Sequence, residues 1–137
     1  MRINEILTKS VQPGTSTAAA MLKSVITPVY NKNKPIIEKR FNNGLATCTY
    51  ATKVVSDALS AANIPHKVIE GQFNNDEHWW VAALGFFIDI GDNISDSSVE
   101  TGNVPMKIVR AFSSGYSPEK SFSAEEYAKY YPSIANW

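Results

Sequence analysis

Residues 78–90 read HWWVAALGFFIDI, two apolar runs on either side of Leu84-Gly85. Runs of strand length, rich in aromatic and β-branched residues and separated by a glycine-containing dipeptide, predict a β-hairpin with a two-residue loop. With Leu84-Gly85 as that loop, Ala83 pairs with Phe86 and Trp80 lies opposite Asp89. Side chains alternate along a strand, and directly opposed residues share a face. His78, Trp80 and Asp89 then look the same way, and Asp89 is a diagonal neighbour of His78. A three-residue loop would turn Asp89 away and bring Asp92 towards the site instead.

Working outward, Lys67–Phe73 reads as the preceding strand, with Asn74-Asn75-Asp76 as a turn. Met106–Phe112 reads as a fourth strand after a polar loop from Gly91 to Pro105. Upstream, Ala51, Val54, Val55, Ala58, Leu59 and Ala62 recur at the spacing of one buried helix face. This central helix starts near Ala46 or Thr47 and ends at Asn63 and Pro65, so Cys48 belongs to its first turn. A further helix is predicted over residues 15–30, disturbed by Pro28, followed by a polar connection Asn31–Pro35 and a short helical piece from Ile36 to Phe41. Gln12-Pro13-Gly14 reads as a turn, residues 2–9 as a short helix or strand, and Asn42-Asn43-Gly44 as a break. Ser123 and Glu126 form a capping box that opens a short helix through Tyr130. The order predicts one α+β domain over residues 1–137, with a central helix carrying a cysteine at its N-terminus packed on an antiparallel sheet.

The 137 residues suffice for one core and carry 13 basic and 13 acidic side chains, so no basic footprint for nucleic acid or a membrane surface is present. No stretch approaches the ~18 consecutive apolar residues of a membrane span. Charges interrupt the apolar cluster of residues 1–14, so a signal-peptide core is not expected and the expected compartment is cytoplasmic. With one cysteine and with His66 and His78 far apart, neither an internal disulfide nor a metal site is expected. Asp92, Asp96 and Glu100 read as solvated loop residues.

Thiol catalysis needs a thiolate, a base beside it and a group that orients the base. The partial positive charge of a helix N-terminus favours a thiolate in the first turn, where Cys48 is expected. His78 opens a strand, and Asp89 stands within Phe86–Ile90, where a carboxylate needs a partner such as an imidazole N–H. The backbone N–H of Cys48 is a first donor to an oxyanion; Asn42 and Asn43 are candidates for a second. Trp79 and Trp80 must face opposite sides. One is core, and the other lines a groove beside His78 or covers the sheet, which makes Trp80 a candidate substrate contact. Each residue alone has a bland reading: Cys48 as a small buried hydrophobe, His78 as a surface residue at a turn, Asp89 as a partner of a lysine.

From Gly44 to Asn93 the chain resembles the core of the papain-like and transglutaminase-like cysteine enzymes. The matching pieces are Cys48 opening a helix (LATCTYATKVVSDAL), His78 followed by aromatics on a strand (HWWVAA) and Asp89 on the next strand (FFIDIGDN). The resemblance implies Cys48 as nucleophile, His78 as general base and acid, and Asp89 as the orienting carboxylate. It implies acyl transfer on a protein or peptide amide through a thioester, as a peptidase, deamidase or transglutaminase-like enzyme, without a metal or organic cofactor. The chain departs from the family in placing Thr47 and Thr49 beside Cys48, where a tryptophan usually stands, and in lacking a clear upstream glutamine. These departures keep open an inactive member of the fold that binds or inhibits a partner protein. The opening MRINEIL is also similar to the starts of small proteins encoded by tailed bacteriophages. Nothing in the sequence speaks to oligomeric state.

Overall fold

Two pairs of residues with left-handed backbone set the sheet. Asn74 and Asn75 have φ of 52° and 71°, and Leu84 and Gly85 have 54° and 86°. Positive φ at both central residues is the type I′ hairpin turn, whose twist matches that of the strands it joins. The first turn joins β1 (Lys67–Phe73) to β2 (Asp76–Ala83), and the second joins β2 to β3 (Phe86–Asp89). Asp76 therefore opens β2, paired with Phe73, and is not part of the turn predicted for it. Ala83 pairs with Phe86 as the two-residue loop requires.

The structure, a computed structural model, describes residues 11–42, 47–91 and 106–130, with side chains for residues 17–40, 47–91 and 106–129. It is α+β. Helices α1 (Val11–Asn42) and α2 (Cys48–Ala61) precede the three strands above, and β4 (Lys107–Arg110), β5 (Tyr116–Phe122) and α3 (Ala124–Tyr130) follow. The described strands form one antiparallel sheet in the order β4-β3-β2-β1-β5. The predicted segment over residues 2–9 and the Gly91–Pro105 loop beyond Gly91, including Asp92, Asp96 and Glu100, lie outside the described residues, as does Asn43.

Helix α2 runs as predicted from the first turn at Cys48, and Asn63 at φ 58° reverses the chain just past its end. Ala51, Val54, Val55 and Leu59 are buried, while Ala62, expected on the same stripe, is exposed beyond the last turn. Thr52 and Ser56 are buried too, because α2 lies between α1 and the sheet.

Three further differences from the expected elements stand out. First, Gln12-Pro13-Gly14 does not form a separate turn, and Asn31–Pro35 is not a connection: residues 11–42 are one helix of 32 residues with Pro28 and Pro35 inside it. An interior proline costs ~3 kcal/mol. Burying Leu22, Ile26 and Ile37 on one continuous stripe recovers ~1.5–3 kcal/mol each, with Val25, Val29 and Tyr30 adding partly buried surface. Side-chain bonds from Thr27 to Lys23 O (2.6 Å) and from Asn33 to Val29 O (2.8 Å) reinforce the turns on either side of Pro28. Second, Met106–Phe112 is shorter as a strand, Lys107–Arg110, and Phe112 turns to φ 65°. Third, β5 was not predicted. Its sequence YSPEKSF contains a proline and exposed charges, the composition of an edge strand, and its pairing with β1 shifts register between Glu70 and Gly71. A Cβ on Gly71 would stand 2.2 Å from Ser117 O, so that close approach requires glycine.

The sheet buries both faces. One carries Val68, Val81, Ala83, Phe86 and Ile88 against α1 and α2. The other carries Ile69, Trp80, Phe87 and Tyr116, with Phe73 and Val109 at their margin. In a flat sheet β4 and β5 would lie roughly 19 Å apart, four strand spacings. Instead, Lys107 Nζ of β4 sits 5.3 Å over the Tyr116 ring of β5. The sheet therefore curls until its edges approach, and aromatic rings fill the concave side.

Candidate functional site

Cys48 is the first residue of α2 and is half-buried. The first backbone bond of the helix runs from Ala51 N–H to Thr47 O at 2.9 Å. The N–H of Cys48 lies before that bond and has no acceptor within the helix. Thr47, as N-cap, makes no side-chain cap bond. Helix α3 braces this turn: Ser123 Oγ accepts from Glu126 N–H and Glu126 accepts from Ser123 N–H, the predicted capping box, and Tyr127 then donates its hydroxyl hydrogen to Thr49 O at 2.9 Å.

His78 lies on the concave face with Trp80, yet α2 packs on the opposite face. The two meet where β3 has ended. β3 stops at Asp89, and Gly91 runs against the start of α2 so closely that a Cβ would stand 2.8 Å from Cys48 Cα and 2.6 Å from Ala51 Cβ. With no side chain there, the Cys48 thiol comes close enough to the His78 ring to help raise its pKa.

The other side of the ring is held by Asp89, whose Oδ2 is 2.7 Å from His78 Nε2. With Asp89 as acceptor, Nε2 carries a hydrogen, which leaves Nδ1 for Cys48. Asp89 is 2% exposed and well supplied with donors. Tyr116 O–H donates to Oδ2 at 2.7 Å, Gly91 N–H donates to Oδ1 at 3.1 Å, and Lys107 Nζ lies 3.9 Å from Oδ2.

Burial of His78 works against a charged ring. The hydrogen bond to Asp89, the nearby Cys48 thiol and the Asp89 charge outweigh it, and push the His78 pKa from 6.5 up to about 10. Burial likewise opposes the Asp89 charge, but the His78 bond and charge, then Lys107 and Tyr116, hold its carboxyl below the usual range. The site thus favours a charged His78 imidazolium paired with the Asp89 carboxylate.

The structure sets His78 and Asp89 side by side, as the two-residue hairpin loop predicts, and the start of α2 brings Cys48 to the same place. Trp80 is corrected: its ring stacks beside His78 at 5.9 Å, but it is 0% exposed and lines no groove. The curl of the sheet lays Tyr116 and Phe87 against it, at 5.0 and 5.5 Å. Asn42 ends α1 without a described side chain, and Asn43 lies outside the described residues, so neither is placed as an oxyanion donor. Tyr116 and Lys107 were missed. Tyr116 lies in the strand whose composition hid it. Lys107 pairs directly with Asp89 across β3 and β4, a register that the intervening polar loop leaves unspecified in the sequence.

The other histidine, His66, donates from Nδ1 to Ile64 O (2.9 Å) and pairs through Nε2 with Ser56 Oγ (2.8 Å), tying the end of α2 to the start of β1. Among the described residues no group of three His, Cys, Asp or Glu side chains is arranged to hold a metal, and no helix is long and apolar enough to cross a membrane. No protein-family model, curated protein or solved structure matches this chain, so its site is read from its own geometry.

Proposed function

We propose that this protein is a cysteine-dependent acyl-transfer enzyme of papain-like or transglutaminase-like type, acting on a protein or peptide amide. One observation carries the reading: a first-turn helix cysteine lies beside a buried histidine whose Nε2 is held at 2.7 Å by a buried aspartate. A thiolate, a proton carrier and an orienting carboxylate are the parts that thiol acyl transfer uses.

In this reading Cys48 Sγ attacks the amide carbonyl carbon, and the carbonyl oxygen becomes an oxyanion facing the Cys48 N–H. The C–N bond breaks as the His78 imidazolium gives its Nδ1 proton to the departing nitrogen, leaving a thioester. Water or an amine then attacks the thioester carbon, His78 takes the proton of the attacking group, and the C–S bond breaks. Asp89 holds the ring in register and balances its charge throughout, without itself taking the proton.

The test is the rate of Cys48 alkylation by iodoacetamide from pH 5 to 9, in wild type and in His78→Ala. A thiol that reacts well below the ordinary thiol range, and loses this without His78, supports the ion pair. Its acyl-enzyme is then sought by incubating protein with activated thiol-reactive esters and following the mass of the Cys48 peptide. A slow thiol indifferent to His78 sinks the enzymatic reading and favours a binding module on the same fold.

A further inference from the structure

The residue directly opposite Asp89 in the β3–β4 register is Lys107. Alternation along β4 puts it on the concave side with Val109. Its ammonium lies 4.0 Å over the Phe73 ring, 5.3 Å over the Tyr116 ring and 3.9 Å from Asp89 Oδ2. That oxygen is the one that also accepts from His78 and Tyr116. The two ring faces flank the ammonium itself, so the charge is presented to Asp89 at a defined place, with the side chain only 22% exposed.

We propose that Lys107 is a positioning residue: acting through Asp89, it completes the charge balance of the Cys48–His78–Asp89 site and so favours the thiolate of Cys48. This rests on the thiol-enzyme reading above. The titratable groups that the described elements bring to the cluster are Cys48 from α2, His78 from β2, Asp89 from β3, Lys107 from β4 and Tyr116 from β5; β1 contributes the neutral ring of Phe73. With thiolate, imidazolium, carboxylate and ammonium all charged, the four ionic groups sum to zero. Without Lys107 the same state carries a net negative charge in a largely buried place, and the thiolate is the group whose charge is dispensable. Tyr116 donates its hydroxyl hydrogen to the same Asp89 oxygen.

The experiment is the pH profile of Cys48 alkylation by iodoacetamide in the full chain, compared among wild type, His78→Ala, Lys107→Met, Lys107→Gln and Lys107→Arg, each checked for folding by thermal melting. Met supplies a neutral side chain of similar length beside Phe73, Gln supplies a second neutral variant should Met not fold, and Arg keeps the charge. The expected result is an alkylation midpoint raised by about one pH unit in the neutral variants, a several-fold slower reaction near neutral pH, and restoration by Arg. Profiles of both neutral variants that superimpose on a His78-dependent wild type overturn the role of Lys107 and leave the Cys48–His78 pair standing. An equal shift in the Arg variant overturns it as well, since packing rather than charge is then responsible. A wild-type profile unchanged by removal of His78 overturns the underlying reading, and the proposal with it.

Discussion

Replacing Asp89 by asparagine tests the centre of this structure. Asp89 accepts from His78 at 2.7 Å, from Tyr116 at 2.7 Å and from Gly91 at 3.1 Å, while only 2% exposed. Asparagine keeps the shape and one acceptor oxygen but turns an NH2 group towards donors that need an acceptor. Removing one partner of a buried charge pair costs about 3–5 kcal/mol, and the retained oxygen places this variant near the lower end, about 3 kcal/mol. For a chain of 137 residues that is a fall in Tm of about 10 °C. The pH dependence carries the diagnostic sign. The His78 pKa is raised from 6.5 to about 10, so its contribution is complete below 6.5 and is lost as pH rises through about 10. The Asp89 pKa is lowered, so its contribution is present above the ordinary carboxylate value of ~3.9 and is lost as pH falls through the lower folded value. Urea unfolding of wild type and Asp89→Asn should therefore differ most between about pH 4 and 6.5, with the gap narrowing from 6.5 to 10. A gap below about 1 kcal/mol, or one that is flat or widening from pH 6 to 10, would refute the claim that Asp89 holds a charged His78.

Three further outcomes follow from the geometry. Tyr116→Phe removes one donor from Asp89 and should cost about 1–2 kcal/mol by urea unfolding, since the other donors remain. Gly91→Ala would force a Cβ to within 2.8 Å of Cys48 Cα, so a destabilisation of about 1–3 kcal/mol and alkylation slowed about tenfold are expected, read by melting and by mass spectrometry. Ser123→Ala deletes the cap bond to Glu126 N–H and should cost about 1 kcal/mol while leaving the Cys48 alkylation rate unchanged; a changed rate would mean that α3 does more than brace the fold.

Much of the site could be read along the chain because its parts are local. The dipeptide Leu84-Gly85 fixes a register in which a one-residue error would turn Asp89 to the other face, and the left-handed backbone at both positions closes the loop that places it beside His78. The apolar stripe of α2 and the capping box at Ser123 are likewise short-range patterns. Where propensity and packing conflict, packing prevails. Pro28 and Pro35 argue locally for breaks in α1, but Leu22, Ile26 and Ile37 bury a stripe that continues past both.

By itself, then, the sequence determined the α+β class, the β2–β3 register and the first-turn position of Cys48, all set by spacings of a few residues. Tertiary structure alone decided that β5 joins β1, that the sheet curls over Trp80 and buries it, and that Tyr116 and Lys107 converge on Asp89. Those contacts join strands distant in the chain, through edge pairing with little compositional signal and a β3–β4 register that no tight turn imposes. Their geometry depends on the twist of the whole sheet rather than on any local run of residues.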